Sequence, residues 1–179
     1  MGKLSVSTKV LALDLATHFG WACGAASDER PLSGHMKLPS DPTGLGQMAS
    51  AYHDWLCQIR KQHEVDLIVF EAPINGMGMT NMRAQMILKG LIWHTEFVAF
   101  RMKTQVVQVN NGTWKKHLCG SGKVSKKIKP YPVIAALDRM GYAIKDDNEA
   151  DAIGIWLHTV HEVDRSRSHT MTPLFAGVA

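Results

Sequence analysis

Val10-Leu-Ala-Leu-Asp14-Leu15 is an apolar run broken by one carboxylate, and Gly20-Trp-Ala-Cys-Gly24 follows it across the short link Ala16-Thr-His-Phe19. Two short hydrophobic runs joined by a few residues read as a β-hairpin. A third strand is expected over 32–38, where Pro31, Pro39 and Pro42 confine it to a sheet edge. Thr43 is placed to cap a helix running to Gln62, with Leu45, Met48, Ala49, Tyr52, Leu56 and Ile59 along one face. Asp66-Leu-Ile-Val-Phe-Glu71 then reads as a strand buried on both faces, again with a carboxylate at its end. A long helix rich in Met, Leu, Ile and Ala is expected over 79–102, a fifth strand over 103–109, and helices beyond, interrupted by a lysine-rich segment over 115–129. Three strands, helix, strand, helix, strand and helices describe an α/β domain in which a three-strand meander leads into crossover units.

The chain has 179 residues, is 45% hydrophobic and 20% charged, and carries neither an internal repeat nor a low-complexity linker. That composition fits one globular domain over 1–165, with the Arg-Ser-Arg-Ser-His stretch opening a poorly ordered tail over 166–179. It is too short for a two-domain kinase or dehydrogenase. Cys23, Cys57 and Cys119 form no CxxC pair, which fits a reducing cytoplasm, and neither a membrane span nor an apolar signal core is visible. The formal net charge of +4 favours a polyanionic partner.

Asp14 lies inside an apolar strand, where an ionised carboxylate requires a cation or a wet cleft; a structural Lys or Arg partner is the plainest answer. Glu71 repeats the pattern at the C-terminal end of a second central strand, the end at which ligands gather in α/β sheets. The third acidic element, Asp146-Asp-Asn-Glu-Ala-Asp151, opens an apolar helix. Asp146 and Glu149 suit the first-turn roles of cap and dipole partner. Asp151 continues the inward face of Ile155 and His158, and both Asp147 and Asn148 can share that face at helical spacing. Three carboxylates from two strands and a helix are the minimum for a pair of hard divalent cations, Mg²⁺ or Mn²⁺, of the kind that activates water against a phosphodiester. The histidines form no HxH or HExxH pattern, which argues against a zinc hydrolase.

Six lysines, at 115, 116, 123, 126, 127 and 129, surround a Gly-Ser-Gly turn in the segment 114–129. Such a run is usually a solvated face, but glycines permit close backbone approach and lysines neutralise phosphates. Gly120-Ser-Gly-Lys123 lacks the full P-loop spacing, so no nucleotide cofactor is expected. Taken together, Leu-Ala-Leu-Asp14-Leu-Ala-Thr-His-Phe-Gly20-Trp-Ala, Ile-Val-Phe-Glu71-Ala-Pro, the lysine segment and Asn148-Glu-Ala-Asp151-Ala-Ile resemble RuvC-like Holliday-junction resolvases of the ribonuclease H-like superfamily, above all their phage and prophage forms. The resemblance runs in order over about residues 9–162. It implies a five-stranded mixed sheet, with β1–β3 an antiparallel meander and β4 and β5 parallel, flanked by helices. It also implies a metal-dependent endonuclease that nicks four-way DNA junctions symmetrically as a homodimer. By position, Asp14, Glu71 and Asp151 become metal ligands, and Lys115 and Lys126 stand near the scissile phosphate. Lys116, Lys123 and Lys127 become further DNA contacts.

Two departures stand out. Asp14-Leu-Ala replaces the Asp-Pro-Gly frequent in the family, and Asn148 occupies the place of a fourth acid, so that Asp147, with Asn148 as a weaker oxygen ligand, is favoured to complete the site. The loop Ile74-Asn-Gly-Met-Gly-Met79 suits insertion at a junction centre through Asn75 and Met77, or is a plain connection. The helix over 79–102 is a candidate dimer face, or its methionines and Trp93 are core. His117 and His158 are candidates for proton transfer or for structure. Rival readings are a non-catalytic branched-nucleic-acid binder of the same fold, kept open by Asn148, a nuclease for other branched DNA or RNA, and an actin-like phosphate binder, for which the chain is about half the required length.

Overall fold

A computed structural model describes residues 4–40, 44–73 and 81–164. Five strands form one sheet in the order β3-β2-β1-β4-β5: β1 (Lys9–Asp14), β2 (His18–Ala25), β3 (Leu32–Lys37), β4 (Leu67–Glu71) and β5 (Gln105–Val109). β1 pairs antiparallel with β2 and parallel with β4, while β2–β3 is antiparallel and β4–β5 parallel. This is the meander followed by parallel strands that the element order predicts. α1 (Gly46–His63) joins β3 to β4, and α2 (Met82–Arg101) joins β4 to β5. α3 (Asn111–Cys119), α4 (Pro132–Arg139) and α5 (Asp147–Val163) follow.

Strand alternation decides what each face of the sheet carries. Leu11, Leu13, Ile68 and Phe70 turn to the side covered by α1 and α2, where Tyr52, Leu56, Leu91 and Val98 meet them. Val10, Ala12, Leu67 and Val69 turn to the opposite side, against α5 and the Trp114, Val133 and Leu137 of α3 and α4. Asp14 and Glu71 share the parity of this second set, so both carboxylates end on the α5 face. Leu13 pairs with Phe70 in the parallel register, which leaves Asp14 and Glu71 side by side just past that pair.

α5 is the central helix: Ala150 to Val160 are all buried. Two glycines let it lie this deep. A Cβ on Gly20 of β2 would stand 1.9 Å from the Asn148 carbonyl oxygen, and one on Gly154 of α5 would stand 2.6 Å from the Trp114 ring. The first contact seats the head of α5 on the sheet, and the second admits the indole of α3.

Several boundaries differ from the expectation. β2 begins two residues early, because His18 and Phe19 continue the ladder to β3 rather than forming a link. α2 starts at Met82, where the Asn81 side chain accepts the Ala84 amide and caps the helix. The lysine-rich segment is not wholly irregular: Lys115 and Lys116 lie in α3, which Gly120 ends in a left-handed cap. Ala49 is exposed, so α1 buries the narrower stripe Met48, Tyr52, Leu56 and Ile59. Thr43, the loop over 74–79 with Asn75 and Met77, and the tail over 166–179 lie outside the described residues. Among the described residues no helix is long and apolar enough to cross a membrane.

Candidate active site

Asp14 leaves the end of β1 with 18% of its side chain accessible, while Asp151, one turn into α5, keeps only 4%. Between them sits Lys126, whose Nζ stands 2.9 Å from Asp151 Oδ2 and 3.5 Å from Asp14 Oδ2. The same ammonium donates to Asn148 Oδ1 at 2.9 Å. Tyr131, at the start of α4, donates its hydroxyl to Asp151 Oδ1 at 2.6 Å. Glu71 is held from α3: the Asn111 amide donates to one oxygen, and Trp114 Nε1 to the other at 3.3 Å. Asn111 and Lys115 lie four residues apart on α3, one turn of one face. Lys115 is buried, with its Nζ 5.0 Å from the Trp114 ring centre.

The three carboxyls are pushed the same way. Burial drives Asp14 up to about 7, reinforced by the charges of Asp151 and Glu71 and offset in part by Lys126. Asp151 is raised chiefly by burial, against the pull of Lys126, the Tyr131 hydroxyl and Lys115. Burial also raises Glu71, while Lys115 and the bonds from Trp114 and Asn111 work against it. Burial opposes the charge of Lys126, yet Asp14 and Asp151 outweigh it and hold the ammonium above its ordinary range. A cleft that raises three acids together, even with a lysine reaching into it, is short of positive charge. Its donors are carboxylate and amide oxygens, the set that hard divalent cations take.

The other residues singled out in the sequence fall outside this core. Asp147 turns to Lys129, 3.5 Å away, whereas Asn148 reaches the shared lysine. Lys116, Lys123 and Lys127 are exposed on α3 and the turns that follow it. Asp146 caps α5, accepting the amides of Asn148 at 2.9 Å and Glu149 at 3.0 Å, and Glu149 accepts the Ser33 hydroxyl at 2.7 Å. His117 and His158, candidates for proton transfer or for structure, lie in a ring cluster with His161 between α3 and α5; burial lowers His117 to about 4. Asn111, Trp114 and Tyr131 are site residues that the sequence did not disclose. Only Asn111 left a trace, as a polar residue at a helix start just after a strand.

By sequence the chain matches no family model and no curated relative. By structure it superposes on Thermus thermophilus RuvC with a TM-score of 0.67 at 17% identity, covering 87% of this chain and 95% of that one. RuvC of the same organism bound to a Holliday junction gives 0.66 at 16%, over 87% and 94%. The yeast mitochondrial Holliday junction resolvase Ydc2 gives 0.63 at 10%, over 96% and 86%. The fold is the ribonuclease H-like fold of RuvC. The sheet order, with β1 and β4 adjacent, parallel and interior, is what brings Asp14 and Glu71 to one end of the sheet, and α5 adds Asp151 from the face it covers.

Proposed function

We propose that this chain is a metal-dependent, structure-selective endonuclease that resolves four-way DNA junctions by paired symmetric nicks, working as a homodimer. The observation that carries the reading is the joining of Asp14 and Asp151 through Lys126, with Glu71 at the neighbouring strand end, on the fold of RuvC. Asp14, Glu71 and Asp151 would hold Mg²⁺ or Mn²⁺, two per site, with Asn148 or Asp147 as the further oxygen ligand. When bound, such cations supply Lewis-acid activation of water and neutralise charge developing on the phosphate.

The protein's own groups do the rest. Asn111 and Trp114 fix both oxygens of Glu71, and Tyr131 fixes one oxygen of Asp151, so that each carboxylate keeps one orientation. The Lys126 ammonium, held between Asp14 and Asp151, would stand ready for a phosphate were those carboxylates engaged by cations, and buried Lys115 adds positive charge near Glu71 and Asp151. Exposed Lys116, Lys123 and Lys127 position the DNA backbone, which makes binding salt-dependent. Asn75 and Met77 are assigned to the junction centre. A dimer is supported by α2, on which Met82, Trp93 and Phe100 are 82%, 65% and 81% exposed. An apolar stripe of that size suits the self-complementary interface that symmetric cleavage needs.

A labelled four-way junction, with linear duplex and flap controls, tests the proposal in Mg²⁺ or Mn²⁺. Symmetric paired nicks leaving 5′-phosphate and 3′-hydroxyl ends, absent in Asp14→Asn, are expected. One observation favours a second reading: Asn148, an amide where a fourth acid would stand, is hydrogen-bonded to Lys126. A protein that binds the junction in both metals without cutting it would be a branched-nucleic-acid binder of this fold. Cutting confined to flaps or RNA would shift the substrate rather than the chemistry.

A further inference from the structure

The first turn of α5 meets the β2–β3 hairpin on the side away from the acidic cleft, and there two imidazoles and two carboxylates converge. His18 pairs with Lys37 and His35 with Gly20, so the two histidines are diagonal neighbours on adjacent antiparallel strands. Both lie on the α5 face, the face of Gly20 and Ala22. Their rings meet edge to face with centres 5.0 Å apart. Asp146 Oδ2 stands 3.7 Å from His18 Nε2 and 3.8 Å from His35 Nδ1. Glu149 Oε2 lies 3.7 Å from His35 Nδ1.

These separations are too long for hydrogen bonds, yet one ligand atom each from His18, His35 and Asp146 falls within 4.8 Å of the other two. Ligand atoms around a four-coordinate zinc-class ion, at about 2.0–2.1 Å from it, stand roughly 3.4 Å apart. Two of the three separations, at 3.7 and 3.8 Å, are already close to that value, and the third, between the two imidazoles, lies within 4.8 Å. Each carboxylate is already locked by its other oxygen. Asp146 Oδ1 accepts two backbone amides, and Glu149 Oε1 accepts the Ser33 hydroxyl. Such outer bonds orient metal-ligating carboxylates. Both histidine side chains are partly exposed, at 40% and 47%, which leaves an ion a path from solvent.

We infer that His18, His35 and Asp146, with Glu149 beside His35 and water completing the coordination, form a second metal site that takes a zinc-class transition ion rather than Mg²⁺. Imidazole nitrogen mixed with carboxylate oxygen selects Zn²⁺, Co²⁺ or Ni²⁺, whereas the all-oxygen acidic cleft suits harder ions. Gly20 makes the site possible by letting the helix head descend to the strand. The bound ion would pin the head of α5, and with it Asn148 and Asp151, to the hairpin. The site escapes the sequence because its histidines are 17 positions apart and meet only across a strand pair.

Zn²⁺ titration of the full chain by calorimetry, in excess Mg²⁺, tests this. One equivalent is expected, retained in Asp14→Asn and weakened at least ten-fold in His18→Ala and in His35→Ala. Co²⁺ should give the intense visible bands of a four-coordinate nitrogen and oxygen complex, lost in the same two variants. If folding of either variant is in doubt by circular dichroism, ring ¹⁵N shifts in the unaltered protein decide. His18 and His35 should move together and saturate at one Zn²⁺ per chain. Zinc affinity indifferent to both histidines, or ring shifts that leave them unmoved, would overturn the site.

Discussion

Asp146 and Asp151 lie five residues apart at the head of the same helix, and their surroundings push them in opposite directions. Burial works to raise Asp146, but the Glu149 and Asn148 amides, with His35 and His18, outweigh it and hold the carboxyl below its usual range. Asp151 is raised by burial despite Lys126, Tyr131 and Lys115. The rim carboxylate is satisfied by the fold itself, through backbone donors that exist only once the helix forms. The inner carboxylate remains a liability in the bare protein, where burial outweighs its three partners. Strongly perturbed buried acids cluster at functional sites, and the Mg²⁺ or Mn²⁺ site proposed above would supply the missing positive charge.

The sharpest break of this contrast is Asp151→Asn. Cleavage should fall by on the order of 10³-fold, the scale seen when one electrostatic stabiliser of a phosphoryl or acyl transition state is lost. The metal-free protein should melt higher, since a buried charge and its repulsion of Asp14 are both removed. Single-turnover junction cleavage and metal-free melting of the same preparation check both halves. A variant that loses activity and stability together would show that the Asp151 carboxylate supports the fold as well as the site.

The next largest effect is of pH. Asp14 titrates near 7 in the folded chain against 3.8 for its ordinary value, so between these limits the folded state holds a proton that the unfolded state has released. Metal-free stability should therefore be highest below about 4 on this account and decline as pH rises toward 7, the reverse of an ordinary salt-bridged Asp. Divalent-ion binding displaces that proton, so affinity should climb over the same interval. Calorimetry of Mg²⁺ or Mn²⁺ binding in buffers of different ionisation enthalpy reads the release directly. A release that vanishes in Asp14→Asn assigns it.

A backbone contact separates the two regions just as sharply. In Gly20→Ala the new Cβ would lie 1.9 Å from the Asn148 carbonyl oxygen, so the head of α5 must lift. A cost of about 3 kcal/mol is expected, at the upper end of overpacking. Rim and cleft should suffer together, because both are carried on that turn. Denaturant unfolding gives the cost, and loss of metal binding without unfolding would show the helix head moving by itself.

How much of this was legible in the chain follows from how local each signal is. The carboxylates of Asp14 and Glu71 announce themselves because a charge in an apolar strand is anomalous at any register, and their shared face follows from alternation once the parallel register is known. The Asp146 cap is equally local, since its donors are two and three residues away. Lys126 is different. Its role depends on the turns over 120–130 folding back across the end of the sheet, and nothing in lysine spacing specifies that path. Tyr131 and Trp114 read as core aromatics and are buried as such, but each carries one polar atom whose carboxylate partner lies 20 or 43 positions away. Asp147 is favoured over Asn148 in the sequence because it is acidic and its four-residue spacing from Asp151 can share that face; in the fold, helix phase turns Asp147 to Lys129 and Asn148 to Lys126.

The smallest predicted effect tests the quiet side of the comparison. Asp146→Ala deletes the side-chain acceptor of the Asn148 and Glu149 amides at the head of α5. Loss of an N-cap costs about 1 kcal/mol. Asp146→Asn keeps an oxygen for both amides but gives up the charge, so it should recover most of that loss. If charge at the helix head matters more than the hydrogen bonds, the Asn variant will instead fall with the Ala variant, and the difference between them will shrink as salt is raised. Urea midpoints of the three proteins at low and high salt distinguish the two cases. Recovery by Asn would establish that, in the metal-free protein, the rim carboxylate is held by the geometry of its two amide bonds rather than by its charge.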